Sequence, residues 1–570
     1  MIQPPRKRAT MVGRHQECSV SVELHDLHHG NWIQAMTETE VEEREDMGDK
    51  RAANLDATIH VPGGPVKEDP TPVPDAPPPL EHVSALRIAL PQVLASTAKN
   101  MLLLDLGMTV AFSTIVIPAL REGNDPKGLS FTPEEASWFG SILFLCQPLG
   151  SVLSGFILEP LGRKYAMMVV NLPHLLGWFL LYTAANKLTL YSAAMIMGLG
   201  VGFMEAPIIT YVGEISQPRL RGTLTSYANL FATFGMNFIY ILGTLVTWRV
   251  AAAISIAVPI VTIIAISQVP ETPVWLMSRG RHKDAENALC WLRGWVSPEH
   301  VKKEFDELSR YTEATKLRKT NGVVNPAFTG DDGTVVQQPE KEFEELTMKE
   351  KIKDFVRPSM LKPLGLIVGY FFFSNFTGIT ATRPYMVLIA RDYNMPLEAY
   401  KATVVFGTVG FAGSVLCMLT VAKFKKRPIA LSSMIIAAIS ASFLCFFSHP
   451  WVSFFSYMAL AFSSSYGAQG LVWALVSEVF PFRGRSMASG LSAASSYLIS
   501  FTATKSFQSL EELLGLRGLF MFYSVITFIG FFFLYFIMPE TEGRPLEDIE
   551  KDYEKNKSKP NDKVKLDNVV

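Results

Sequence analysis

Charged residues and cysteines are both scarce in this chain of 570 residues. Asp, Glu, Lys and Arg make up 18% of it, and the net charge of −1 with no dominant basic block gives no indication of a nucleic-acid partner. The sequence shows no nucleophile–base spacing and no phosphate-binding loop, so we expect neither an enzyme nor a cofactor. The five cysteines are too far apart for a disulfide framework or a zinc site, and we expect free thiols and no metal at Cys18, Cys146, Cys290, Cys417 and Cys445.

Long apolar runs fill the rest of the chain, which is 49% hydrophobic. A run of about 20 apolar residues spans a bilayer as a helix, because lipid offers no partner to unpaired backbone groups. The sequence therefore predicts an all-α membrane protein of twelve transmembrane helices, surrounded by lipid. The predicted spans are 101–120, 136–158, 165–184, 188–212, 222–246, 249–269, 362–390, 399–421, 428–448, 451–477, 486–506 and 515–538.

The spans divide into six and six around a polar stretch. We predict two six-helix bundles with a linker and two tails, bounded as 1–92, 93–270, 271–360, 361–538 and 539–570. The first tail is polar and rich in proline, which indicates disorder, and Val301, Phe305 and Leu308 indicate a short amphipathic helix in the linker. The first apolar block begins near Met101, so we expect no cleavable signal peptide. Lys and Arg collect at one set of loops, which places those loops, the linker and both termini in the cytoplasm.

A charged unit is repeated at the ends of two spans. Glu214, Arg219 and Arg221 recur after a constant interval of 264 residues as Glu478, Arg483 and Arg485. Such a repeat predicts two structurally equivalent halves, as in solute carriers that rock around a central site. We expect charge-assisted hydrogen bonds to form there only while the cytoplasmic side is closed. The predicted gating residues are Arg163, Lys164, Glu214, Arg221, Lys426, Arg427, Glu478 and Arg485; the alternative is that these charges only set topology.

Several further motifs lie at the expected places along the chain. They include the run from Gly155 to Lys164, the segment from Tyr211 to Gly222, PETPVWL at 270–276, Trp473 five residues before Glu478, and PETEG at 539–543. With these motifs the chain resembles the sugar porters of the major facilitator superfamily over about 95–543, and among them the insect facilitated trehalose transporters. The resemblance implies the major facilitator fold, a sugar substrate of the trehalose or hexose class, and a plasma membrane location.

The resemblance also implies a solute site near the middle of the membrane. Family positions occupied by amides and a tryptophan correspond here to Asn229, Ser374, Asn375, Thr380 and Trp473. These polar groups and an aromatic face suit a sugar, which offers hydroxyl groups and a C–H surface. Helix packing through polar side chains is the alternative explanation for each residue taken alone.

Four ionisable residues fall inside predicted spans, where charge is costly. Asp105 and Arg383 are expected to reach a membrane interface. Lys505 is the third ionisable residue inside a predicted span. Glu205 is a candidate to bind a solute hydroxyl or to carry a proton, so it joins the predicted substrate-binding residues.

The aspartate–arginine pair of proton-driven sugar symporters corresponds to Ser113 and Ala194, and neither of these titrates. We therefore favour facilitated uniport. A proton-coupled symporter that uses Glu205, or a nutrient sensor that has lost transport, remains the alternative.

Overall fold

The computed structural model describes residues 84–123, 125–320, 358–480 and 485–541. Every regular element in these ranges is helical, and all of the described residues belong to one compact unit. Residues 1–83 of the first tail, 321–357 of the linker and 542–570 of the last tail lie outside the described residues. The prediction of disorder over 1–92 is wrong for 85–92, which form the first turns of a long helix, and for 1–83 it lies outside the described residues.

The first half contains eight helices. They are α1 (Ala85–Arg121), α2 (Pro133–Leu161), α3 (Arg163–Val169), α4 (Asn171–Thr183), α5 (Lys187–Ile215), α6 (Pro218–Leu245), α7 (Trp248–Ser255) and α8 (Ala257–Ser267). A complete capping box starts α2, in which Thr132 accepts from the backbone N–H of Glu135 and the Glu135 carboxylate accepts from that of Thr132. Helices α3 and α4 together form one apolar span, and α7 and α8 form another.

The linker forms three described helices, two of which contact α1 and α5 of the first half. They are α9 (Pro273–Ser278), α10 (His282–Leu292) and α11 (Pro298–Thr320). The predicted amphipathic pattern is confirmed on α11, where Val301 is buried and Phe305 and Leu308 pack against a small apolar cluster around Trp275 and Met277.

The second half contains broken helices. Its elements are α12 (Pro358–Asn375), α13 (Ile379–Thr382), a 3-10 turn (Arg383–Tyr385), α14 (Met386–Asp392), α15 (Ala399–Phe424), α16 (Lys426–Phe446), α17 (Pro450–Ser463), a π-helical turn (Ser464–Ala468), α18 (Gly470–Val479) and α19 (Arg485–Ile537). The span made of α12 to α14 bends by 46°. Gly378 stands at this break with φ 102°, a conformation that glycine adopts without steric cost.

The number of spans agrees with the sequence prediction. Nine described helices are long and apolar enough to cross a membrane, and the bent pair of helices makes a tenth span. One of the nine, Ala488–Ile537, is interrupted at Gly515 (φ 69°, ψ 162°), so it holds the last two predicted spans. The predicted span 451–477 falls on α17, the π-helical turn and α18, each too short to pass alone. All twelve predicted spans therefore lie on described helices.

The two halves meet along long helices. Helix α2 packs against α19, and α6 packs against α15, while α1 contacts the 3-10 turn. Two pairs of side chains form hydrogen bonds between α6 and α15: Asn229 donates to Ser414 (3.3 Å), and Asn237 donates to Thr408 (3.2 Å). We call this contact zone the seam.

Candidate functional site

One end of the helices carries an ion pair in the first half. Arg163 begins α3 and Glu214 lies in the last turn of α5, and Nε and Nη2 of Arg163 donate to Oε1 of Glu214 at 3.1 and 2.8 Å. The two side chains are only 12% and 17% exposed. A pair so shielded from water is stronger than an exposed one.

A second carboxylate supports the same corner. Glu271, which follows α8, accepts from the backbone N–H groups of Arg163 (3.2 Å) and Lys164 (2.9 Å). Burial raises the pKa of the Glu271 carboxyl above its usual range, and these backbone donors oppose that rise. The Lys164 ammonium donates to the carbonyl oxygen of Ser267 at 2.8 Å. The start of α3 is thus fixed to the ends of α5 and α8.

The second half repeats this arrangement. Lys426 begins α16 and forms an ion pair with Glu478 in the last turn of α18. Glu540 accepts from the backbone N–H groups of Lys426 (3.3 Å) and Arg427 (3.1 Å), as Glu271 does in the first half. The guanidinium of Arg427 donates to the carbonyl oxygen of Tyr535 at 2.6 Å. Alternating helix directions bring both units to one face, which we call the charged end.

The predicted gating residues at the charged end have partners within their own half. The pairs Arg163–Glu214 and Lys426–Glu478 each join residues of one half. The reason is local: the first residue of one helix lies directly beside the last turn of its neighbour, so each carboxylate is satisfied at short range. The side chains of Arg221 and Arg485 lie outside the described residues.

The opposite end, where Glu122 and Arg391 lie, is tied across the halves. Glu122 at the end of α1 forms an ion pair with Arg391 on α14. The hydroxyl of Thr114 donates to the carbonyl oxygen of Arg383 at 2.8 Å, and that of Ser137 donates to the carbonyl oxygen of Lys505 at 3.0 Å. The halves are therefore joined at the opposite end by polar contacts.

Near the seam, three of the predicted solute-binding residues lie on facing helices. Asn229 on α6 bonds to Ser414, and its amide lies beside Gly470 at the start of α18. The hydroxyl of Thr380 accepts a hydrogen bond from Gln469. Trp473 on α18 keeps 37% of its surface exposed and meets the Phe371 ring edge-on, with centroids 4.9 Å apart.

Glu205 on α5 is hydrogen-bonded to residues of both halves. Its Oε2 accepts from Ser151 on α2 (3.1 Å) and from Tyr497 on α19 (3.0 Å). Tyr497 in turn lies 6.2 Å from Trp473, measured between ring centroids. No hydrogen bond within the described part of the chain reaches Oε1, so this oxygen can accept from a solute.

Two predicted binding residues are turned into the second half. Ser374 is 1% exposed and donates to the Phe371 carbonyl oxygen of its own helix at 3.1 Å. Asn375 is 7% exposed, donates to the same oxygen at 2.9 Å and accepts from Ser500 at 2.9 Å. The expectation that Ser374 faces the solute is wrong in this conformation, because a nearby carbonyl satisfies its hydroxyl inside the bundle.

The expectation that Asp105 reaches a membrane interface is also wrong. It is fully buried, accepts from the Trp178 indole N–H at 2.8 Å, and lies 3.8 Å from His174. Arg383 points into the protein as well, with Nη2 donating to the Gln469 amide oxygen at 3.5 Å. The partners of Asp105 and Arg383 lie on other helices, so the spacing of residues along a single helix does not reveal them.

Sequence reasoning missed Gln469, Tyr497 and Ser151. Gln469 directly follows the π-helical turn, which is a frequent feature of functional sites but leaves no clear pattern in a single sequence. Tyr497 and Ser151 are ordinary polar residues inside apolar spans, and only the pairing of α2 and α19 with α5 shows their shared partner.

The chain resembles known transporters over most of its length. The family model described as "Sugar (and other) transporter" matches residues 93–553. The facilitated trehalose transporter Tret1 of Drosophila grimshawi is 30% identical over 476 residues, 81% of this chain and 47% of that protein. Its namesake from Apis mellifera ligustica is 26% identical over 81% of this chain and 88% of its own length. The chain thus spans about half the length of the Drosophila relatives it matches.

Solved structures show the same fold. The proton:xylose symporter XylE bound to 6-bromo-6-deoxy-D-glucose has a TM-score of 0.62 and 18% identity, covering 82% of this chain and 99% of its own. An inward-open conformation of XylE from E. coli gives a TM-score of 0.60 at 18% identity, with 81% and 99% covered. These likenesses establish the major facilitator fold, with two six-helix bundles. The chain belongs to the sugar (and other) transporter family.

Proposed function

We propose that this protein carries a sugar of the trehalose or hexose class across the plasma membrane by alternating access. The observation that supports this best is the seam, where Glu205 and Asn229 from the first half meet Tyr497, Trp473 and the Thr380 neighbourhood of the second. Hydroxyl, amide and carboxylate groups beside an aromatic face suit a sugar. Trehalose is the first candidate because it is the named substrate of the curated relatives.

The halves of this transporter are residues 93–270 and 361–538, with 271–360 as the linker. We infer that the charged end faces the cytoplasm, since Lys and Arg concentrate in its short loops. Both termini lie on that side under this topology, with 1–92 and 539–570 as cytoplasmic tails.

The contacts at the two ends suggest the direction in which the site is open. The opposite end is tied between halves by Glu122–Arg391, whereas the Arg163–Glu214 and Lys426–Glu478 pairs of the charged end each lie within one half. This pattern suits a state open toward the cytoplasm. On closure, we propose that the eight gating residues, Arg221 and Arg485 included, exchange partners across the halves.

Uniport is supported by the residues at the two positions where proton-driven sugar symporters carry an aspartate and an arginine. In this chain those positions hold Ser113 and Ala194, which do not titrate. Ser113 and Ala194 line one cavity of about 30 Å³, together with apolar residues such as Phe139 and Met197. A cavity of that size holds about one water molecule and contains no titratable side chain. Glu205 supports the second candidate, a proton-coupled symporter, because its carboxylate is bonded across the seam.

The test uses purified full-length protein in liposomes with radiolabelled trehalose, glucose, fructose and a polyol. Saturable entry of at least one sugar, absent from protein-free liposomes and exchangeable with unlabelled sugar, is expected. Binding of a sugar without exchange indicates a nutrient sensor and contradicts transport.

A further inference from the structure

Arg383 is a cation placed inside a membrane span. It begins the 3-10 turn between α13 and α14, five residues after Gly378, in the part of the chain that packs against α1 of the other half. Its backbone carbonyl accepts the bond from Thr114 that crosses the seam. Arg383 is partly exposed, unlike its neighbours Thr382 and Pro384, which are buried.

The groups around this guanidinium are neutral. The guanidinium donates to the Gln469 amide oxygen over a long contact of 3.5 Å and also hydrogen-bonds the phenol of Tyr240, and the phenol of Tyr457 lies close enough to interact with its charge. Among the described residues no carboxylate forms an ion pair with Arg383. Glu205, the carboxylate of the site, bonds instead to Ser151 and Tyr497.

A guanidinium has five donors and a permanent charge, and the contacts to one amide and one phenol leave donors unused and the charge without a counter-charge. A charge inside a membrane span without a counter-charge is costly, and such residues usually mark a solute or ion pathway. A sugar hydroxyl could accept from Arg383 but would leave its charge uncompensated. A solute carboxylate would accept two parallel hydrogen bonds from the guanidinium and would also compensate its charge.

Gln469 places this donor relative to the aromatic face. Its amide N–H donates to Thr380 while its amide oxygen accepts from Arg383, so the three groups hold one another. Trp473 follows Gln469, the residue directly before α18, by four residues, a rise of about 6 Å along a regular helix. This spacing suits one pyranose ring, with a carboxylate at Arg383 and the ring's C–H surface on Trp473.

We propose that Arg383 is a specificity-determining residue that binds the carboxylate of an acidic sugar, so that the pathway accepts sugar acids such as hexuronates. The inference rests on the proposed sugar transport and goes further, since it names a charged class of solute.

The experiment compares D-glucuronate with D-glucose. The two differ only at carbon 6, which is a carboxylate in glucuronate and a hydroxymethyl group in glucose. Uptake of each radiolabelled compound, and of trehalose, is measured in liposomes at pH 7 and constant chloride with wild type, Arg383→Gln and Arg383→Lys. Lys505→Gln is the matched control, because it removes another intramembrane cation, one that lies over the Trp138 ring at 4.4 Å. Monodisperse elution of each variant in detergent confirms folding.

Wild type is expected to take up glucuronate saturably. Arg383→Gln should lower the ratio of glucuronate to glucose uptake at least about tenfold, Arg383→Lys should retain part of it, and Lys505→Gln should leave the ratio unchanged. Uptake of neutral sugar but not glucuronate by wild type, or an unchanged ratio in Arg383→Gln, overturns this inference alone. Absence of all uptake by folded wild type contradicts the proposed transport itself.

Discussion

Truncation of Trp473 gives the most direct measure of the proposed sugar site. A tryptophan side chain can bury up to roughly 250 Å², so the 37% that is exposed leaves about 90 Å² for a solute to cover. At about 25 cal/mol per Å² this surface contributes about 2 kcal/mol, or roughly 30-fold in affinity. Trp473→Ala should therefore raise the half-saturating sugar concentration by roughly 10- to 30-fold, and Trp473→Phe, which keeps a smaller ring, by about threefold.

The assay is the concentration dependence of sugar entry into liposomes, with protein amount normalised. Trp451→Ala is the matched control, since Trp451 is 52% exposed but stacks on Phe455 on α17, near the start of that helix. If Trp473→Ala and Trp451→Ala change half-saturation equally, or neither changes it, the solute does not rest on Trp473 and the reasoning is refuted.

Three further predictions concern the ends of the bundle. Glu122→Ala should shift the population toward the state open at the opposite end, by at most about fivefold because this pair is 28–42% exposed; unchanged cysteine labelling from that side contradicts it. Glu214→Gln should cost the first half about 1 kcal/mol of stability by removing a charge-assisted bond, with Glu478→Gln similar in the second, and an unaltered melting temperature for both opposes this. Burial disfavours the charged form of Asp125, yet its hydrogen bonds and ion pair with Arg249 outweigh that effect and lower its pKa. A carboxyl whose pKa is lowered by folding stabilises the protein at pH above its unfolded-state pKa of about 4, and this stabilisation is lost as the pH falls through the folded-state pKa. Asp125→Asn should therefore destabilise the protein at pH 7 and have no effect in acid. A loss of stability that does not depend on pH contradicts the ion pair.

Much of the fold could be predicted from the sequence. Length and apolarity alone place a membrane helix, because the bilayer imposes both. The repeat was visible in the sequence as the constant interval between the Glu214 and Glu478 units. In the structure the two units form equivalent ion pairs, Arg163–Glu214 and Lys426–Glu478. What the repeat could not show is that each carboxylate pairs within its own half.

The candidate site was less accessible to sequence reasoning. Polar residues such as Ser374 and Thr380 look alike in a string of letters, yet the former is sealed in the bundle and the latter is held by Gln469. The break at Gly378 and the π-helical turn before Gln469 rotate neighbouring side chains away from the face that regular helical periodicity predicts. Partners from different halves, such as Glu205 with Tyr497, depend on how two bundles meet, and no local pattern encodes that.

The central claim is that the protein equilibrates a neutral sugar through the seam without proton coupling. The most direct measurement is the final internal sugar concentration in liposomes that hold the full-length protein, with the outside acidified and the membrane potential clamped. The account predicts that internal sugar rises to the external concentration and stays there, at the same level with and without the pH gradient. Accumulation several-fold above the external concentration, lost when the gradient is collapsed, would contradict it and assign proton coupling to the transporter.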